Sequence, residues 1–119
     1  MRRQERGHII NLGSVVGLRV FTPGGTLYRA TKFAVHAISE GLRVELHSEN
    51  IRVTTIAPGA FSSNLKAGTS DETSAKGLDE LHKIAIPAES VARTIAYTLE
   101  QPDEVAINLM VIRPTVEDF

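Results

Sequence analysis

Tyr28 and Lys32 could together transfer a proton, because they stand four residues apart in a segment with helical periodicity. Residues i and i+4 of an α-helix share one face, with Cβ atoms about 5 to 6 Å apart, so a lysine ammonium can lie beside a tyrosine phenol. A close, partly desolvated cation favours the phenolate and lowers the pKa of the phenol from its ordinary value of about 10. The spacing therefore predicts a tyrosine that exchanges a proton near neutral pH. The alternative is a solvated, inert pair on a helix surface.

Composition excludes several classes of protein. With 42% hydrophobic and 23% charged residues, the 119-residue chain can form a core and is neither disordered nor collagen-like. A formal net charge of -1 without a basic run offers no electrostatic attraction to nucleic acid, so we expect no nucleic-acid partner. The chain has no cysteine, no secretory signal and no apolar run long enough to span a bilayer. We therefore expect no disulfide, no membrane segment and a cytoplasmic location.

Two segments have the length and composition of β-strands, and each ends at residues that could face a ligand. Residues 8–13 form a mostly apolar run, which predicts a strand buried on both faces, and Ser14 follows directly after it. Residues 51–57 are rich in β-branched side chains, and Pro58 and Gly59 close this second strand. A plain strand-ending turn is the alternative interpretation of that Pro-Gly pair.

Helical periodicity appears twice. From Tyr28, apolar residues recur at steps of three and four for about twenty residues, and this helix is predicted to end near Glu49, with Asn50 as a left-handed cap. A second helix is predicted to open at Pro87, which suits the first helical turn, and to stop before Pro102.

The segment between the second strand and the second helix is polar and rich in small residues. Residues 62–83 are predicted to form a mobile lid loop, with a short helix over residues 78–83. After the second helix, residues 105–112 predict a third strand that stops before Pro114.

This alternation of strands and helices predicts an α/β fold with a parallel sheet and right-handed crossovers, in the order β-α-β-lid-α-β. Ligands in open parallel sheets bind beyond the carboxyl ends of the strands. Ser14 follows the first strand, Pro58 and Gly59 follow the second, and Tyr28 begins the helix near the same rim. We therefore expect these residues to meet in one crevice under the lid.

Three segments carry motifs at familiar spacings, in the order Gly7-His8-Ile9-Ile10-Asn11-Leu12-Gly13-Ser14-Val15-Val16-Gly17, Tyr28-Arg29-Ala30-Thr31-Lys32 and Val53-Thr54-Thr55-Ile56-Ala57-Pro58-Gly59. On these motifs the chain resembles the short-chain dehydrogenase/reductase family. The resemblance implies a doubly wound, Rossmann-like sheet and an oxidoreductase that interconverts an alcohol and a carbonyl by hydride transfer. It also implies that Ser14 holds the substrate oxygen, that Tyr28 exchanges a proton with it, and that Lys32 lowers the pKa of the tyrosine and binds the cofactor ribose.

The resemblance also implies a nicotinamide cofactor, because no side chain can donate a hydride. Pro58, Gly59 and Ser63 correspond to the family segment that lines the nicotinamide, where threonine is commoner than Ser63. Residues 111–115 resemble a subgroup of NADP-linked members, so we expect NADP or NAD, with a slight preference for NADP. The expected partners are a small-molecule alcohol or carbonyl and further copies of the protein, because the helix from Tyr28 often forms the family's subunit interface.

The family's glycine-rich phosphate fingerprint does not occur in the 119 residues. We therefore expect residues 1–119 to form one partial domain, the C-terminal half of the enzyme, with an open edge on its first strand and negligible activity alone. The alternative function is a non-catalytic truncated product that is inert or associates with intact relatives through its long helix.

Other chemistry finds little support in the sequence. The histidines show no i, i+4 pairing and no cysteine partners, so we expect surface or packing residues rather than metal ligands at positions His8, His36, His47 and His82.

Overall fold

The computed structural model describes residues 1–68 and 70–118, which contain three β-strands and three α-helices. In chain order these elements are β1 (Gly7–Leu12), α1 (Thr26–Leu46), β2 (Ile51–Pro58), α2 (Glu72–Ile84), α3 (Ala88–Leu99) and β3 (Leu109–Ile112). Within these residues, no helix combines the length and the apolar character that crossing a bilayer requires.

The strands form one parallel sheet in the order β1-β2-β3, which confirms the predicted α/β class. Gly7 of β1 pairs with Ile51 of β2, and Thr55 of β2 pairs with Leu109 of β3. Parallel neighbours need a crossover connection, and α1 and the α2–α3 segment supply the two crossovers. The carboxyl ends of all three strands therefore lie at the same edge of the sheet.

Helices cover both faces of the sheet, as the doubly wound prediction requires. On one face, Val53 packs in a buried cluster with Leu46 of α1, and the half-buried Leu42 of the same helix packs against it. On the other face, Met110 and Ile112 of β3 border a groove whose opposite wall is α3. Side chains alternate between the faces of a strand, so β2 is buried from both sides.

The first strand is less buried than the sequence predicted. Residues of β1 are only half-buried, and Leu12 at its end is 45% exposed. The prediction of burial on both faces is therefore wrong for this strand. Within the described residues β1 pairs with β2 alone and is an edge of the sheet, which matches the expected open edge and explains its partial exposure.

The lid segment (residues 62–83) is more regular than predicted. A short 3₁₀ helix occupies Asn64–Gly68, and α2 begins at Glu72, six residues before the predicted short helix at 78–83. Asp71 caps α2, because its Oδ2 accepts a hydrogen bond of 2.7 Å from the amide of Ser74. The prediction of a loop failed there because the small polar residues 71–77 supply an N-cap and a solvent-facing helix surface. Its mobility stays a prediction.

The third strand is shorter than the predicted 105–112. The Arg52 guanidinium in β2 donates hydrogen bonds to the carbonyls of Gln101, Pro102 and Val105, at 2.9, 3.2 and 3.3 Å. The hydroxyl of Thr54 likewise donates to the carbonyl of Ile107 at 2.6 Å. Side chains of β2 therefore bond the carbonyls of residues 101, 102, 105 and 107 in place of a backbone ladder. Backbone bonding begins where the amide of Thr55 donates to the carbonyl of Asn108 at 2.9 Å, and the paired strand begins at Leu109.

The two predicted helices are confirmed, with small changes at their ends. The first begins at Thr26 and ends at Leu46, where a 3₁₀ turn continues to Glu49. Asn50 then takes the predicted left-handed conformation, with a φ of 52°. The last helix begins directly after Pro87 and ends at Leu99.

Candidate active site

All six residues predicted for the site border one cavity at the carboxyl ends of β1 and β2. The cavity has a volume of about 370 Å³, and its lining includes Ser14, Tyr28, Lys32, Pro58, Gly59 and Ser63. Apolar side chains from β1, the following turn and the lid segment form most of the remaining wall. A concave, mostly apolar cavity with a few convergent polar groups is typical of a small-molecule site.

Ser14 is held where β1 ends, with its hydroxyl proton available to a ligand. Its Oγ accepts a hydrogen bond of 3.3 Å from the amide of Val16 and so caps a 3₁₀ turn over Val15–Gly17. The hydroxyl can donate to the carbonyl of Pro58 at 3.5 Å, the outer limit of such a bond. A donor held this loosely can turn to a substrate oxygen.

The loop before α1 places Tyr28 in the first turn of that helix. Gly24 and Gly25 have φ angles of 83° and 62°, which glycine adopts without the steric cost of a Cβ atom. Arg29 then fastens the loop to the helix by donating hydrogen bonds to the carbonyl and the hydroxyl of Thr22. Tyr28 and Lys32 therefore extend from one rigid helix at the cavity rim.

The contact between Tyr28 and Lys32 differs from the predicted one. The Lys32 Nζ lies 5.9 Å from the centroid of the Tyr28 ring, over its face. Burial raises the pKa of the half-buried Tyr28 phenol above its ordinary value, so the expected lowering of that pKa is wrong for this arrangement. An ammonium over the ring face gives the hydroxyl oxygen less stabilisation than one beside it, and desolvation of the phenolate dominates.

The Pro58-Gly59 turn connects the sheet to the lid segment. The amide of Gly59 donates to the carbonyl of Ile112 at 2.8 Å, which extends the β2–β3 ladder by one bond. Two further bonds join the ends of the lid segment, because Ile86 donates to Ala60 at 3.1 Å and accepts from Ser62 at 2.9 Å. The lid segment thus rises from a hydrogen-bonded base beside the cavity.

Three polar residues near the site were not assigned to it from the sequence. His82 of α2 and Glu117 of the C-terminal tail border the cavity, and His36 of α1 contacts the backbone of Ser14. The spacing of Tyr28, Lys32 and His36 at i, i+4 and i+8 could have revealed the last of these, because such residues share a helix face. Nothing local in the sequence marks Glu117, since the tail reaches the site only after β3.

The Glu117 carboxylate closes one side of the Pro58-Gly59 turn. Its Oε1 accepts a hydrogen bond of 3.0 Å from the amide of Ala60, whereas its Oε2 is buried and has no partner among the described residues. A Cβ atom added at Gly59 would lie 2.0 Å from Oε2. A larger residue at position 59 would therefore have to displace the Glu117 carboxylate from the Ala60 amide.

The other histidines have structural contacts. His8 lies within 2.7 Å of the hydroxyl of Thr54, and His47 lies 2.8 Å from the carbonyl of Val44 in its own helix end. In the part of the chain that the structure describes, no three side chains of metal-binding type lie together.

The residues present fit the nicotinamide end of a dinucleotide. The apolar wall suits a flat ring, and the Ser14 hydroxyl, the Tyr28 phenol and the Lys32 ammonium supply donors along one side. Gly13 and Gly59 also border the cavity, and the space that their Cβ atoms would take is filled by the side chains of His36 and Glu117.

A family model described as short chain dehydrogenase matches residues 1–74. Over its full length the chain is 47% identical to an uncharacterized oxidoreductase of Staphylococcus saprophyticus, of which it covers 49%. It is 39% identical to an uncharacterized oxidoreductase of Listeria monocytogenes across 98% of the chain and 48% of that protein. The chain thus spans about half the length of the curated relatives it matches.

A solved structure supports the same relationship. The closed form of serine dehydrogenase complexed with NADP+ superposes with a TM-score of 0.83 and 28% identity, over 100% of this chain and 48% of that one. Its fold agrees with the parallel sheet and the crossovers described above. On the family match and the architecture together, the chain belongs to the short-chain dehydrogenase family of oxidoreductases.

Proposed function

We propose that this chain is the catalytic and substrate-binding half of an NAD(P)-dependent oxidoreductase that interconverts a small alcohol and its carbonyl. The observation that carries the proposal is the convergence of Ser14, Tyr28 and Lys32, from two separate elements, on one cavity. A bound nicotinamide would supply or accept the hydride, which no side chain can do. The hydrogen bond to the substrate and the proton transfer come from residues of this chain.

In the reducing direction, Ser14 donates a hydrogen bond to the carbonyl oxygen of the substrate, and Tyr28 delivers the proton as charge develops there. The raised pKa of the Tyr28 phenol keeps it protonated at neutral pH, which suits an acid in this direction. In the oxidising direction the phenol must first lose its proton. The Lys32 ammonium promotes that loss when it lies beside the hydroxyl rather than over the ring.

We propose NADP as the preferred cofactor, with NAD as the alternative, because residues 111–115 resemble an NADP-linked subgroup and the serine dehydrogenase relative binds NADP+. Pro58, Gly59 and Ser63 would line the nicotinamide. The apolar wall of the cavity favours a substrate with a small apolar body. A cytoplasmic location stays a prediction from the sequence.

Residues 1–119 are proposed to form a single partial domain, with a lid segment that moves over the cavity. The chain contains no glycine-rich phosphate fingerprint, so we expect it to bind a nicotinamide dinucleotide poorly and to turn over negligibly alone. A titration of the isolated chain that showed micromolar affinity for NADPH would contradict this expectation.

The proposed reaction can be tested in a chimera that joins the first half of the Staphylococcus saprophyticus oxidoreductase to this chain. NADPH oxidation is followed with a panel of small aldehydes, ketones and keto acids. Tyr28→Phe should lower kcat by about 10² to 10⁴-fold, because it removes the general acid and little volume. Tyr97→Phe is the matched control, since this other tyrosine lies on α3 and is 51% exposed. Equal activity in the two variants would refute the assignment of Tyr28.

A second candidate function is association without catalysis, and the surface of α1 favours it. Leu27, Ala34 and Ile38 share one helix face at i, i+7 and i+11, and all three are exposed. An exposed apolar stripe of this kind marks a surface that other chains can cover, either copies of this protein or intact relatives.

The surface can be tested by sedimentation velocity. Ile38→Glu should lower the association of the chain or of the chimera, because a charge would have to be desolvated on binding. Leu99→Glu is the control, because it places the same charge on an exposed apolar residue of α3 and leaves the stripe unchanged. If the chimera has no activity with any carbonyl while Ile38→Glu abolishes association, the second function is favoured.

A further inference from the structure

We propose that His36 is a positioning residue that sets the place of Ser14 relative to Tyr28 and Lys32. The proposal rests on the catalytic roles suggested above, because it concerns the geometry in which those three residues meet. His36 itself does not border the cavity. It acts through the backbone that carries Ser14.

The first observation is a hydrogen bond between the two elements. The Nε2 of His36 lies 3.1 Å from the carbonyl oxygen of Ser14. A carbonyl oxygen can only accept, so Nε2 must carry the proton and donate it. The bond thus joins α1 to Ser14, which lies between β1 and the 3₁₀ turn that follows it.

The second observation is the space that two glycines leave for the imidazole. A Cβ atom added at Gly13 would lie 2.8 Å from Nε2 of His36, and one added at Gly17 would lie 2.7 Å from its Cδ2. Gly13 and Gly17, which flank Ser14 in the sequence, therefore leave a seat that the His36 ring occupies. This seat accounts for the Gly-Ser-x-x-Gly order, which Ser14 as a hydrogen-bond donor does not itself require.

The third observation is the helical spacing. Tyr28, Lys32 and His36 occupy successive turns of one face of α1, so the helix that carries the tyrosine and the lysine is bonded through His36 to the backbone of Ser14. Other bonds hold β1 differently. Gly13 donates to the carbonyl of Ile56 at 2.8 Å, which fixes the strand to β2 but not to α1.

A second polar contact fastens the same strand further along the helix. Asn11 donates to the hydroxyl of Ser39 at 2.8 Å, and that hydroxyl donates to the carbonyl of Val35 at 2.7 Å. This contact holds Asn11, the residue before the last of β1 and three residues before Ser14. His36 is therefore the group that fixes the end of the strand, where an error of about 1 Å can cost about 10²-fold in rate.

Two variants of His36 separate the effect of the donated hydrogen bond from the effect of side-chain volume. His36→Gln places an amide N–H near the position of Nε2, whereas His36→Leu keeps apolar volume and removes the donor. His47→Gln is the matched control, because among the described residues the ring of His47 hydrogen-bonds only to the carbonyl of Val44 in its own helix end.

The hydrogen bond is tested directly in the 119-residue chain. The ¹⁵N chemical shifts of the His36 ring report which nitrogen is protonated, and we expect the Nε2–H form. The amide signals of Ser14 and Val16 should shift in His36→Leu, return towards the parent in His36→Gln and stay unchanged in His47→Gln. A ring protonated at Nδ1 alone, or signals that do not respond to His36→Leu, would overturn the proposal.

The functional consequence is tested in the chimera. His36→Leu should lower kcat by about 10²-fold with little change in KM, and His36→Gln should recover most of the loss. A loss confined to KM, or equal losses in both variants, would refute positioning by the donated proton. If Tyr28→Phe abolishes turnover while His36→Leu does not, this inference alone fails. If Tyr28→Phe leaves turnover intact, the proposed function fails.

Discussion

Gly17→Ala should push apart the two elements that carry the proposed catalytic residues. Gly17 is buried in the turn after Ser14, and a Cβ atom added there would lie 2.6 Å from the backbone oxygen of Lys32 and 2.7 Å from its backbone carbon. Ordinary contact begins at 3.4 Å, so the turn and α1 must separate by about 0.8 Å. Because the clash is with backbone atoms, no change of side-chain rotamer can relieve it. The turn after Ser14 and α1 must therefore move apart.

Overpacking of this kind costs about 1 to 3 kcal/mol of the free energy of unfolding. The assay is equilibrium unfolding of the 119-residue chain in urea, followed by far-ultraviolet circular dichroism. Gly41→Ala is the matched control, because it lies inside α1 and no described atom lies within 4 Å of an added Cβ. The control should stabilise the chain by about 0.5 to 1 kcal/mol, since alanine loses less backbone entropy in a helix.

The two variants therefore have opposite expected signs for the same chemical change. If Gly17→Ala unfolds at the urea concentration of the parent or above it, the close approach of the turn to α1 is not a constraint. The reasoning that links the glycines beside Ser14 to the position of the helix would then be refuted. In the chimera, Gly17→Ala should also lower kcat more than Gly41→Ala does.

Three further predictions concern groups around the sheet. Burial is the larger cause, and the charge of Arg52 the smaller one, that lowers the pKa of His8 below 6.5. The native state therefore binds fewer protons than the unfolded state, and the free energy of unfolding should fall as the pH drops below 6.5. Urea unfolding between pH 5 and 8 checks this, and His8→Gln should reduce the slope of that free energy against pH. Gly59→Ala should destabilise the chain, because its Cβ would lie 2.0 Å from the Glu117 carboxylate, and adding Glu117→Ala should recover part of the loss rather than add to it. Arg52→Met should speed amide hydrogen exchange in residues 101–108 but not in α1, because it removes three hydrogen bonds to that loop. Equal exchange rates for residues 101–108 in the variant and the parent would contradict the role given to Arg52.

The order and type of the main elements could be predicted from local patterns. The stripe that begins near Tyr28 specifies a helix because its apolar period matches the helical repeat, and Asn50 ends it because a left-handed residue stops propagation. The β-branched run that ends at Pro58 likewise forms the central strand. Each of these decisions depends on residues within one or two turns of one another.

Other features depended on contacts between distant residues and were not predictable in this way. The strand predicted from residue 105 begins later because two side chains of β2 bond carbonyls of this segment, Arg52 that of Val105 and Thr54 that of Ile107. Partial exposure of β1 follows from its place at the edge of the described sheet.

The sequence alone determined that a phenol, an ammonium and a hydroxyl follow one another at spacings that suit an α/β fold of this family. It did not determine where the charge of Lys32 lies, because the orientation of a long side chain and the burial of its neighbour arise only when the elements pack. The raised pKa of Tyr28, the seat of His36 between Gly13 and Gly17, and the arrival of Glu117 beneath Gly59 were therefore decided by the tertiary structure. The number of residues between two groups specifies whether they share a helix face. Desolvation and close approach instead depend on atoms that folding brings together from remote parts of the chain.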